Sequence, residues 1–223
     1  MARILFDLDG TLVHSTPTLA AAGNALLVAL GRAPVDVATV TGFVGHGVRA
    51  LVERLLGHSG GIPGGDVEPH LARFRTLYAA DPLTGTEAYP GVGAALAALA
   101  ADGHGLAVCT QKPNDPALAI LRGRALMPPV TGFTGGDSLP GVLKPDPRMV
   151  AHAADQLAPG PVVYVGDSET DAATAAAAGV PFLLYTEGYR RAPVESLPHA
   201  ARFSDHAALP GLVAEVLGAA EPA

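Results

Sequence analysis

A chain of 223 residues with 49% hydrophobic content has ample apolar material for one larger domain, or for a domain carrying a sizeable insertion. Its formal charge of −7, from 21 acidic and 14 basic residues, argues against a nucleic-acid or anionic-membrane surface and favours small ligands. The longest apolar stretches, 91–101 and 172–184, are Ala/Gly-rich or bounded by charge and fall short of a bilayer span; with no leader pattern ahead of the first apolar run and Cys109 as the single cysteine, a cytoplasmic protein without disulfides is expected.

The first predicted element is a strand over 3–8, inside the run ILFDLDGTLVHS at 4–15. It meets two carboxylates, Asp7 and Asp9, followed at once by Gly10 and Thr11. By itself an Asp-Gly pair reads equally well as an ordinary turn, so the meaning of the two aspartates depends on what the rest of the chain brings to them. Residues 15–85 offer no convincing strand. They carry helical patterns instead: Val48, Leu51, Val52, Leu55 and Leu56 share one face, and Val67, Leu71, Phe74 and Tyr78 another. A glycine-rich connection over 57–65 separates these faces. The segment is predicted to be a helical domain of 15–85 inserted into a core made of 1–14 and 86–223. Within it, TGFVGHGVRALVERLL sets His46 and Arg49 near a helix start, where Arg49 suits either a second anionic group of a substrate or a solvated helix charge.

From residue 92 onward strands and helices alternate. Helices are expected over 92–101, 115–126, 147–157 and 169–178, and strands over 105–110, 129–134, 162–165 and 180–185, which implies an α/β fold with a parallel sheet covered by helices. Asn114 and Asp146 are N-cap candidates, Pro116 and Pro147 fit first turns, and Gly103, Gly160 and Gly179 fit helix stops. Cys109 falls in a strand and reads as a small core residue.

Ligands of open α/β sheets bind beyond the carboxyl ends of the strands. Asp7, Asp9, Thr110, Asp167 and Asp171 all fall at such ends, and Lys144 just precedes a helix. Only two of the basic residues are lysines, Lys112 and Lys144, so each is a candidate for a place that needs a compact ammonium, with a solvated charge as the alternative for Lys112. Several carboxylates with a lysine and a hydroxyl compose a Mg²⁺ site beside an anion site, since Mg²⁺ takes hard oxygen ligands and shares them with substrate phosphate.

The stretches Asp7-Leu8-Asp9-Gly10-Thr11-Leu12, Thr110, Lys144-Pro145 and Gly166-Asp167-Ser168-x-x-Asp171 resemble, in order and strand context, the motifs of the haloacid dehalogenase-like hydrolase superfamily. YPGV at 89–92, TQKP at 110–113 and LKPDP at 143–147 look most like its phosphoglycolate phosphatases. Gln111 stands where that group more often has Asn, and His14 where it more often has an acidic residue. The resemblance implies a Rossmann-like core with a helical cap domain. It also implies Asp7 as nucleophile, Asp9 as proton shuttle, and Mg²⁺ held by Asp7, the Asp9 carbonyl and Asp167 with Asp171 behind them. Thr110, Gln111 and Lys144 then meet the phosphoryl group. The expected partner is a small phosphorylated metabolite, and the expected assembly a monomer or homodimer. A β-phosphoglucomutase-like isomerase and a non-catalytic phosphate-binding module are the alternatives; dehalogenase chemistry has no use for Asp9 or a metal.

Overall fold

The computed structural model describes residues 1–219. Its centre is β1 (Arg3–Phe6), whose residues Ile4, Leu5 and Phe6 are all buried, the unbroken apolar pattern of a strand covered on both faces. It pairs in parallel with β4 (Gly105–Cys109) on one side and β6 (Val162–Gly166) on the other. With β5 (Gly132–Thr134), β7 (Phe182–Tyr185) and β8 (Ala201–Phe203) it forms a parallel sheet in the order β5-β4-β1-β6-β7-β8. Ile4 and Phe6 face one apolar layer, shared with Leu96 and Leu99 of α5 (Val92–Ala101) and Val213 of α9 (Leu209–Ala219). Leu5 faces the other, with Met149 of α7 (Arg148–Ala154) and Ala172 of α8 (Glu169–Ala178).

Between β1 and α5 lie four helices: α1 (Thr16–Ala29), α2 (Val37–Thr41), α3 (Gly47–His58) and α4 (Glu68–Ala80). They close a separate apolar cluster in which Leu27, Leu55, Leu56 and Phe74 are fully buried. Two short antiparallel strands, β2 (Val13–His14) and β3 (Glu87–Ala88), pair where the chain leaves and re-enters the sheet.

Several sequence expectations need correction at element ends. The strand expected over 129–134 begins only at Gly132, because Pro129 has no N–H to pair and Val130 turns its N–H back to the Leu126 carbonyl, and the strand expected from 180 begins after Pro181, which likewise has no N–H. The first strand stops at Phe6 rather than residue 8: the Leu8 carbonyl turns out of the sheet and accepts from Thr11, Leu12 and Val13 N–H. Asn114 is already inside α6 (Asn114–Gly123), which follows Pro113; its side chain accepts from Ser138 instead. Asp146 lies one residue before the Pro147 cap and folds its carboxylate onto Arg148. Gly57 belongs to the last turn of α3, so the glycine connection starts later. Gly179 does end α8 in the left-handed conformation, whereas α7 stops at Ala154, six residues before Gly160.

Candidate active site

The parallel register places the carboxyl ends of β4, β1 and β6 side by side, and with them Thr110, Asp7 and Asp167. Asp7 continues the ladder by donating its N–H to the Val165 carbonyl at 2.9 Å. Gly10 then turns the chain with φ +88°, and a Cβ there would sit 2.5 Å from Asp167 Oδ2. Glycine is thus required twice over, by the positive φ and by the approach of a carboxylate.

The lysines divide the aspartates between them. Lys144 Nζ lies 3.0 Å from Asp7 Oδ2 and 2.6 Å from Asp171 Oδ1. Burial opposes the Lys144 charge, but Asp171 and Asp7 outweigh it and hold the ammonium above its ordinary pKa. Lys112 Nζ donates to both oxygens of Asp9 at 2.9 and 3.0 Å, and Ser15 Oγ to Asp9 Oδ1 at 2.5 Å. Lys112 is not a solvated charge: it is a buried partner of Asp9 at the edge of the cavity, with the Tyr78 ring of α4 4.8 Å from its Nζ.

Asp171 has its lone pairs taken up. Oδ1 accepts from Lys144 and Tyr164, and Oδ2 from Ser168 N–H, Ser168 Oγ and Asp167 N–H. Ser168 caps α8 and Asp171 returns the bond, a capping box that fixes the start of the helix. Asp167 accepts from Thr11 Oγ1 at 2.8 Å and from Tyr189 N–H at 2.6 Å.

Asp7 Oδ1, in contrast, is buried with no hydrogen-bond partner. Oxygens of Asp7, Asp167 and Asp171 lie within 4.8 Å of one another. Burial first, then Asp171 and Asp7, raise the pKa of Asp167; burial first, against the pull of Lys144, raises that of Asp7. Four carboxylates, Asp7, Asp9, Asp167 and Asp171, meet two ammonium groups, which leaves a formal −2 when all are ionised. Hard oxygen donors, an orphaned carboxylate oxygen and that residual charge fit a divalent cation.

Above these groups is a cavity of about 610 Å³. Asp7, Asp9, Thr110 and Lys144 form its floor, and α3 and α4 its opposite wall. Gln111 closes part of the seam, its Nε2 donating to the Gly45 carbonyl at 3.2 Å. Arg49 lines the same cavity, but its guanidinium is bonded to Glu68 and lies 3.6 Å from Glu53. His46 lines it too, and burial beside Arg54 and Arg191 lowers its pKa. His14 stands aside, sharing a hydrogen bond with Tyr189 Oη. Cys109 is buried, its thiol pushed up to about 12 chiefly by desolvation, which rules it out as a nucleophile.

The chain is similar to known proteins over most of its length. A haloacid dehalogenase-like hydrolase family profile matches residues 1–179. The chain is 47% identical over 218 residues to a phosphoglycolate phosphatase of Cereibacter sphaeroides, covering 97% of this chain and 100% of that one. It is 46% identical over 213 residues to a phosphoglycolate phosphatase of Rhodospirillum rubrum, covering 92% and 88%. The crystal structure of a predicted phosphoglycolate phosphatase from Haemophilus somnus superposes with a TM-score of 0.87 at 29% identity, covering 95% of this chain and 97% of that one.

Proposed function

The chain belongs to the haloacid dehalogenase-like hydrolase family, and on that premise we propose that it is a Mg²⁺-dependent phosphatase cleaving a small phosphate monoester of the 2-phosphoglycolate kind through an aspartyl-phosphate on Asp7. The observation that carries the reading is the Asp7 carboxylate, buried at the cavity floor with Oδ2 held by Lys144 and Oδ1 unengaged. The helices over 16–80 then act as a cap on the core, and the buried lone cysteine, with no described helix long and apolar enough to cross a membrane, supports a cytoplasmic setting.

Asp7 attacks phosphorus, and the ester oxygen leaves with its electron pair. Thr110 and Lys144 hold the phosphoryl oxygens and balance charge developing on them. Asp9 gives the leaving oxygen its proton, then takes one from the water that cleaves the acyl phosphate. Its bonds from Lys112 and Ser15 are those of a carboxylate and suit the second, base half of the cycle. Asp7, the Asp9 carbonyl and Asp167 would hold Mg²⁺, which supplies charge neutralisation for the approach of one anion to another. Assay with a panel of phosphate esters tests the reading: release of inorganic phosphate is expected, whereas a phosphoryl group moved within a sugar phosphate, or no turnover, contradicts it.

Two predictions follow from the charge balance. Lys144→Arg keeps the charge, but a planar fork cannot meet Asp7 and Asp171 from the place of a compact ammonium; kcat/KM is expected to fall roughly 10²-fold, the worth of one misplaced electrostatic donor, in protein whose circular dichroism is unchanged. The metal-free fold, for its part, carries raised pKa values on Asp7 and Asp167. It therefore binds more protons than the unfolded chain, and its stability declines as pH rises through those values. Mg²⁺ should reverse this, by about 2.7 kcal/mol at a hundred times its Kd. Asp167→Asn can still accept from Tyr189 N–H and turn its amide to Thr11 Oγ. It should melt above the wild type without metal and gain little from Mg²⁺, as read by thermal melts at pH 8 with and without the ion.

A further inference from the structure

The wall of the cavity opposite Asp7 holds a buried phenol with an unused donor, Tyr78, and an exposed guanidinium without a partner among the described residues, Arg75. Tyr78 is 6% exposed, and its hydroxyl lies beside the Lys112 ammonium, which can donate to it but accepts nothing, so the phenol's own hydrogen has no acceptor, a costly state for a buried donor unless a ligand relieves it. Burial keeps that phenol protonated, with its pKa raised, and thus able to donate. Arg75, one turn earlier on the same face of α4, lines the same cavity. Among the described residues it makes no salt bridge and no side-chain hydrogen bond, whereas Arg49 is paired with Glu68 and Glu53. The position is also the right one for the leaving group. Tyr78 sits over Lys112, and Lys112 holds Asp9, which protonates the departing oxygen; the organic part of the ester therefore extends from Asp9 toward α4.

We infer that Arg75 and Tyr78 of α4 form a carboxylate site that holds the non-reacting end of a small phosphorylated acid. The guanidinium accepts the carboxylate in its planar fork, and the phenol supplies a further hydrogen bond from a water-poor wall. Phe74 and Leu51 line the same cavity, and of the two cap arginines lining it Arg49 is already paired with Glu68 and Glu53. The inference rests on the phosphatase reading and adds to it the residues that select an acid over a neutral alcohol.

The test compares 2-phosphoglycolate with ethyl phosphate, which has the same carbon skeleton without the carboxylate. Wild type should favour phosphoglycolate. In Arg75→Ala the ratio of the two kcat/KM values should fall by about 10- to 100-fold, the worth of charged hydrogen bonds, with the loss in KM for phosphoglycolate. Arg75→Lys should recover part of it, since charge returns without the fork. Tyr78→Phe, which keeps the ring over Lys112, should lower the ratio by about 3- to 10-fold. A ratio held at the wild-type value in Arg75→Ala and Tyr78→Phe overturns the inference, as does a loss confined to Arg49→Ala. Wild type that cleaves both esters equally well overturns it while leaving the phosphatase reading intact. Wild type that cleaves neither overturns that reading, and this inference with it.

Discussion

Asp7→Asn abolishes turnover of every phosphate ester, by on the order of 10⁴-fold or more, the scale on which deletion of a nucleophile acts. The amide keeps the shape of the side chain and an oxygen for Lys144, but it has no lone pair basic enough to attack phosphorus and form the acyl phosphate. The fold should survive. Asp7 is one of four carboxylates facing two ammonium groups, and neutralising it relieves repulsion with Asp171 and Asp9, both of which raise its pKa after burial has done so. A melting temperature at or above that of wild type, together with lost activity on alkyl and aryl esters alike, separates a missing nucleophile from a damaged fold.

Asp9→Asn behaves differently on different esters. With an alkyl phosphate the leaving oxygen needs a proton, and the loss should be on the order of 10² to 10⁴-fold. With an aryl phosphate, whose phenolate departs unprotonated, attack by Asp7 should survive better than the later hydrolysis. Stability should fall as well, since Lys112 is buried and the substitution takes away the carboxylate that compensates it. Adding Lys112→Met should restore much of the stability and none of the alkyl-ester activity. That double-variant comparison distinguishes the loss of a proton shuttle from the loss of a buried ion pair. Equal loss on both ester types would reduce Asp9 to a support for its neighbours.

Much of this arrangement is legible in the chain because a parallel sheet turns strand ends into a shared edge. Once the apolar runs at 105–110 and 162–165 are read as strands of one parallel sheet with the first, Thr110 and Asp167 fall on the same edge as Asp7, while the order that puts both strands directly beside the first is seen only in the structure. The pairing of side chains was not legible in the same way. Lys112 reaches Asp9 across 103 positions of sequence, and only the scarcity of lysine marked it as a residue with a specific place. Tyr189 meets Asp167 through a backbone N–H, which any residue type would offer, so no sequence signal exists for it. Arg49 stood out because it follows a glycine-rich turn, yet nothing in the pattern tells that Glu53 and Glu68 share its charge. Arg75 lies in an unremarkable helical stretch and gains its interest from having no such partner. Element ends depended on which backbone groups can pair: Pro129 and Pro181 shorten two strands, and the short edge strand β8 and the helix α9 went unassigned because 201–219 carries little periodic contrast.

The central claim is that the phosphoryl group passes through Asp7, and it is tested most directly by trapping. Asp9→Asn is mixed rapidly with an aryl phosphate labelled at phosphorus, quenched in acid within the first turnover, and digested for peptide mapping. The account predicts a burst of phenolate approaching one equivalent per site, label retained on the protein in the same amount, and its location on the peptide that contains Asp7. Phenolate released without a burst, with all label in free phosphate and none on that peptide, would mean that water attacks phosphorus directly and would contradict the account.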